Sequence, residues 1–230
     1  MRSVMICVSL FAVGSLALSV STTGYSQENE SGKMSFFVTS SGLGKGGNLG
    51  GLEGADRHCQ SLAEAAGAGK RTWHAYLSTQ GTSFTDKNVV HARDRIGAGP
   101  WHNAKGVMIA KNVEDLHSDH NNLNKETALD EKGQGVNGRG DTPNKHDIFT
   151  GSRVDGSAFA PSTPFPDMTC GNWTKESDDG SAMTGHHDRK GPNDDPWATS
   201  WNSAHPTRGC SPDAVKSTGG DALLYCFAVK

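Results

Sequence analysis

The chain has 230 residues, with 22 Lys and Arg against 25 Asp and Glu and a formal net charge of −3 with His neutral. A balance this close to zero argues against a nucleic-acid binder that works by releasing counterions. Hydrophobic residues are only 34%, yet five Trp, eight Phe and three Tyr are too many bulky anchors for a disordered polymer, and 29 Gly place much of the backbone in turns rather than in a helical bundle.

Residues 4–20 form an almost charge-free run behind Met1-Arg2, followed by small and polar residues up to Ser26. This is the pattern of a signal peptide cut near Ser26, and it places the mature chain in a secreted, periplasmic or cell-surface compartment with no later membrane span. Residues 27–33 read as a flexible lead-in. Residues 34–230 contain no repeat and no linker, and read as one domain.

Within that domain MSFFVT at 34–39 has the aromatic and β-branched character of a strand. The Gly-rich stretch after it lacks the acidic partner and the repeated β-α units of a dinucleotide site. Residues 52–66 then place Leu52, Ala55, Cys59, Leu62, Ala63 and Ala66 on one helical face, with Glu53 and Asp56 at the positive end and Gly67 and Gly69 as a stop. RTWHAYLS at 71–78 reads as the next strand. Residues 79–145 are mostly loop apart from VMIA at 107–110, with short helices expected around 85–95 and 112–130. Strands are expected at 146–151, 168–174 and 222–229, and the stretch 175–220 is polar around GPNDDP.

Once the signal segment with Cys7 is removed, Cys59, Cys170, Cys210 and Cys226 remain. An even count in an oxidising compartment reads as two disulfides, for which the spacing admits three pairings. No C-x2-C pair seeds a zinc site.

The segments FFVTSSGLGKGGNLGGLEGADRHCQSLAEAAGAGKRTWHAYLST, HDIFTGSRVDG, TCGNWT and LLYCFA resemble the bacterial C-type lectin-like family that includes the spirochaete endostatin-like adhesins. The likeness spans residues 35–228, is most specific in GNLGGLEGADRHCQ, WHAYLST and LYCF, and is weakest at 112–145, which reads as an insertion. The resemblance implies an α+β C-type lectin-like fold with small mixed sheets, flanking helices and a long irregular loop region. It implies the pairings Cys59 with Cys226 and Cys170 with Cys210. It also implies a secreted or envelope-associated binding module that recognises a glycan or an extracellular protein through loops at about 112–210. The alternative is a metal-independent adhesin for matrix or host proteins. An enzyme on the same scaffold is the weakest reading, since the chain has no G-x-S-x-G, no free cysteine nucleophile and no framed pair of carboxylates.

Several residues are candidates for the site. Sugar-binding lectins of this fold hold calcium between an acidic-Pro-Asn type loop and a Trp-Asn-Asp strand; the nearest equivalents here are Asn193, Asp194 and Asp195 after Pro192, and Asn202 after Trp201. Ser203 stands where an acidic ligand is expected. His186-His187-Asp188 with His205 form a candidate set for zinc or another transition metal, since imidazole and carboxylate suit those ions, although neighbouring His on a strand face opposite sides, so at most one of His186 and His187 serves a given site. The other His residues, His146 among them, have no metal-ligand spacing. Trp173 is expected in the core beside a disulfide, while Trp197 and Trp201 are open between core and ligand stacking. Arg139-Gly140-Asp141 spells an integrin-type tripeptide and is read as a surface turn. Asn29 and Asn172 head N-x-[ST] triplets.

Overall fold

The computed structural model describes residues 34–161 and 166–229; the expected signal peptide, the lead-in and Asn29 lie outside them. The fold is arranged around its last strand, β8 (Gly220–Ala228), which is buried along almost its whole length. Successive side chains of a strand face opposite ways, so β8 needs a covering layer on each side. Ala222, Leu224, Cys226 and Ala228 pack with the apolar stripe of α1 (Gly51–Ala65), whereas Leu223, Tyr225 and Phe227 pack with Tyr76, Trp101 and Trp201.

β1 (Phe36–Val38) and β2 (Trp73–Ala75) pair antiparallel with the C-terminal half of β8, and β5 (Asp147–Phe149) pairs parallel with its N-terminal half. β6 (Met183–His186) adds antiparallel to β5, and β7 (His205–Pro206) antiparallel to β6, which completes a mixed six-stranded sheet. β3 (Trp101–His102) and β4 (Met108–Ala110) form a separate hairpin. The sheet with its helices is an α+β arrangement. No helix among the described residues is long and apolar enough to cross a membrane.

α1 lies one residue before the expected 52–66, and Cys59 on its buried stripe is bonded to Cys226 of β8. The second disulfide joins Cys170 to Cys210. Both pairings are those the family resemblance implied. The loop expectations need correction. Of a helix at 112–130 only α2 (Val113–Leu116) exists, capped by the Asn112 side chain, because Asn121, Asn122 and Asn124 turn their side chains onto neighbouring backbone and divert it from a helix. Of a helix at 85–95 only a 3-10 turn at Ala92–Asp94 exists. A helix that the polar character of 175–220 concealed, α4 (Pro212–Thr218), is capped by Ser211 and carries Pro212 in its first turn.

The strand expected at 168–174 is the largest departure. In its place α3 (Cys170–Trp173) is a single left-handed turn, with φ of 48°, 63°, 55° and 67° in order. Left-handed backbone costs about 1–2 kcal/mol for each residue with a Cβ, so the turn must be held from outside. The Asn172 amide bonds both the N–H and the carbonyl of Gln80, the Trp173 indole donates to Ser78 O at 2.8 Å, and the Cys170 disulfide ties down its start. Trp173 is in the core, as expected.

The Cys59–Cys226 bond closes a sequence separation of 167 residues. Replacing both cysteines with Ala is expected to lower the unfolding free energy by about 2–5 kcal/mol. Urea denaturation of the two forms measures it, with an unchanged slope marking loss of stability rather than of compactness.

Candidate metal centre

Three strands bring polar residues to one place. Asp147 opens β5 and His186 closes β6, and the two are direct cross-strand partners. His205 opens β7 opposite Thr184, whose hydroxyl donates to the His205 carbonyl at 2.7 Å. His146, one residue before Asp147, precedes β5 and is not bound by its alternation. Here the pairing is irregular: Asp147 stands opposite Gly220 but Ile148 opposite Leu223, so Asp221 and Ala222 bulge out of β8. Ala222 takes φ 55°, and Lys145 pins the bulge through Asp221 at 2.7 Å. Both His146 and Asp147 reach the same site. Gly219 and Gly220 make the room, since a Cβ on either would stand 3.1 or 3.2 Å from the His146 ring or the Asp147 side chain.

The separations between donor atoms are those of a coordination shell. Asp147 Oδ1 lies 3.1 Å from His146 Nε2, 3.3 Å from His186 Nε2 and 3.6 Å from His205 Nε2, and the last two nitrogens are 3.0 Å apart. Donors around a tetrahedral zinc at its usual bond lengths stand about 3.3 Å from one another. His146, Asp147 and His186 are the buried part of the set, with donor atoms mutually within 4.8 Å. His205, with its side chain 29% exposed, closes the solvent side.

The outer contacts decide which ring nitrogens carry protons. His186 Nδ1 lies 2.6 Å from the Ala198 carbonyl, a contact that requires the proton on Nδ1 and leaves the Nε2 lone pair inward. His205 Nδ1 faces the Pro206 carbonyl at 3.3 Å, and His146 Nδ1 faces Asp188 Oδ1 at 3.4 Å. The three Nε2 atoms therefore gather about Asp147, whose two carboxylate oxygens are buried and accept no hydrogen bond, and those of His186 and His205 lie within hydrogen-bond distance of each other. A buried carboxylate left without hydrogen bonds is strongly unfavourable unless a cation, a metal ion or a ring proton, compensates it. Imidazole nitrogen and carboxylate oxygen are the ligand types of zinc and its transition-metal neighbours.

Asp188 belongs to the same construction. Burial works against its charge, but the His146 ring and the N–H groups of Arg139 and Lys190 outweigh that and hold its carboxyl well below the usual range. Its neighbours reach outward in turn. His187, its pKa pushed down by burial, contacts Asn137 O at 3.0 Å, and Arg189 donates to Leu123 O and to Asn121. Residues 186–189 thus send consecutive side chains to different loops.

Comparison of the chain with models of protein families and with curated proteins finds no match.

Of the zinc candidates read from sequence, His186 and His205 come together and His187 does not, because it lies in the turn after β6 and reaches Asn137 O instead. Asp188, read beside them in the sequence, stands behind His146 rather than among the inward donors, and His146 and Asp147 were missed. The available signal was the recurrence of His-Asp at 146–147 and His-His-Asp at 186–188, each beside a strand end. The calcium candidates are not assembled. Asn193, Asp194 and Asp195 lie exposed in a turn, where Asp195 Oδ2 accepts from Asn193 Nδ2 and Trp197 Nε1. Asn202 is fully buried; its Nδ2 donates to Tyr76 Oη and the carbonyls of Arg153 and Val154, and its Oδ1 accepts from Ser200 Oγ. Calcium takes about six to eight oxygens, and the buried Asn202 does not meet the exposed 193–195 turn. Trp201 is core, packed on Tyr76 and Tyr225, whereas Trp197 is 47% exposed. In the exposed Arg139-Gly140-Asp141 turn the Asp141 carboxylate accepts from Lys125 Nζ and from Gly138 N–H, so it closes its own loop.

Replacing Asp147 with Asn removes a buried charge without changing shape. The metal-stripped variant is expected to melt at or above the temperature of metal-stripped wild type, and to lose the rise that zinc gives the wild type. Differential scanning calorimetry with and without the ion reads both signs; a lower midpoint without metal would mean that the carboxylate is compensated by protons alone.

Proposed function

We propose that the protein is a secreted or envelope-associated binding module of C-type lectin-like architecture, in which one transition-metal ion, zinc foremost, holds the loops that meet a glycan or protein ligand. The observation that carries this reading is the unbonded Asp147 carboxylate facing the Nε2 atoms of three histidines. With His205 as fourth ligand the shell is made of protein alone, the pattern of structural rather than catalytic zinc. Binding is therefore favoured over turnover.

The loops hang on this centre. The turn with Trp197 is attached through Ala198 O to His186, the 137–141 turn through His187 and Asp188, and the 121–123 loop through Arg189. Trp197 offers an exposed aromatic face beside Asn193, Asp194 and Asp195, a combination that suits a sugar ring or an apolar side chain with polar neighbours. The two disulfides and the charge-free N-terminal run support an oxidising compartment.

Elemental analysis of the mature protein is expected to find one zinc per chain. Titrating the stripped protein should raise the thermal midpoint with Zn²⁺ and leave it unmoved by Ca²⁺, with a stabilisation of about 4 kcal/mol when free ion reaches ~1,000 times the Kd. His205→Ala should weaken the ion's hold without abolishing it, since three buried ligands remain. Absence of uptake and of any shift would overturn the metal reading. Glycan-array or protein capture should be lost on chelation and in Trp197→Ala; capture that survives both would point instead to a metal-independent adhesin.

A further inference from the structure

The 137–141 turn is tied at two points to the segment that follows His186. His187 Nε2 contacts Asn137 O, and Asp188 Oδ2 accepts the Arg139 N–H at 2.6 Å. Position 138 must be glycine for this contact, because a Cβ there would stand 2.4 Å from Asp188 Oδ2. Lys125 adds ties to Val136 O and to Asp141, Asn137 Nδ2 donates to Pro143 O, and Gly138 and Asp141 bond each other. The Arg139 side chain is exposed at the tip.

The other oxygen of Asp188 faces His146 Nδ1 at 3.4 Å. An ion on His146 Nε2 requires the proton on Nδ1, and that proton points at Asp188. One carboxylate thus touches the outer side of a metal ligand and the backbone of an exposed turn. The same Asp188 oxygen also accepts the Lys190 N–H at 3.1 Å; an ion on His146 Nε2 directs the Nδ1 proton to Asp188 and tightens its hold, and stripping the ion loosens it. Local opening then becomes easier for the turn than for the sheet behind it.

We infer that Asp188 is a positioning residue of the metal centre and the link through which the ion orders the Arg139-Gly140-Asp141 turn. The inference rests on the metal reading proposed above and extends it: the presentation of that turn follows metal occupancy.

Limited trypsin digestion of the mature protein tests this, with cleavage after Arg139 followed by mass spectrometry. Arg57 on α1, 72% exposed at its side chain, is the internal reference, since cutting there requires the helix to unfold. Removing metal from the wild type is expected to speed cleavage after Arg139 by about tenfold or more relative to cleavage after Arg57. Asp188→Asn, which preserves volume, should bind zinc about 10–100-fold more weakly in competition with a chromogenic chelator. Its turn should be cut as fast as in stripped wild type even when zinc is saturating. A merely structural role would lower the melting point and leave zinc affinity alone. The inference is overturned if the loaded and stripped wild type are cut equally fast after Arg139, if both sites speed up together, or if Asp188→Asn keeps wild-type affinity and a protected turn. A wild type that takes up no zinc at all sinks the metal reading itself, which is a different result from a loaded protein whose turn ignores the ion.

Discussion

Everything in this fold is arranged by the burial of β8 on both faces. A nine-residue strand with apolar side chains on alternating sides forces α1 onto one face and the aromatic cluster of Tyr76, Trp101 and Trp201 onto the other. It also needs partners along both edges for its backbone groups, and β1, β2 and β5 supply them. The disulfide from Cys59 to Cys226 crosses one of these layers and removes a large loop from the unfolded chain's freedom. For a chain so rich in glycine, that constraint matters more than the propensity of any element.

The candidate metal centre lies beside the one place where β8 is irregular. His146 precedes β5 and is not bound by its alternation, so it and Asp147, neighbours in sequence, address a single point beside the looped-out Asp221 and Ala222. β6 then delivers His186 in direct register with Asp147, and β7, a strand of two residues, delivers His205. So short an edge strand has little pairing of its own, and ligation of His205 would tether it to the sheet. The cost of gathering a buried carboxylate and three imidazoles without hydrogen bonds to the carboxylate is high in a low-dielectric interior. A cation turns that cost into a fastening.

Residues 186–189 spread the fastening outward. His186, His187, Asp188 and Arg189 face in turn the Ala198 carbonyl, Asn137, Arg139 with His146, and Leu123 with Asn121. Irregular loops carry their backbone polar groups without a ladder to satisfy them. Here much of that satisfaction comes from a single four-residue segment. These contacts join three loops of a region without regular structure to one segment.

Much of this was legible in the sequence. The stripe through Ala55, Cys59 and Ala63 gave α1 to within one residue, and the aromatic, β-branched runs at 34–39, 71–78 and 222–229 contain β1, β2 and β8, because periodicity is a local property. The burial of Trp173 followed from an equally local rule. The left-handed turn at 170–173 did not, since it is imposed by Asn172, Trp173 and a disulfide against the preference of its residues. Nor did the clustered donor set: His146 looked solitary because its neighbours in space lie 40 and 59 positions away in the chain, at His186 and His205. The sequence by itself determined the strand and helix patterning and the cysteine count suited to disulfides, all set by nearest neighbours and composition. Only the tertiary structure decided which polar residues meet, because the register of β5, β6 and β7, not spacing along the chain, places four donor groups around one point.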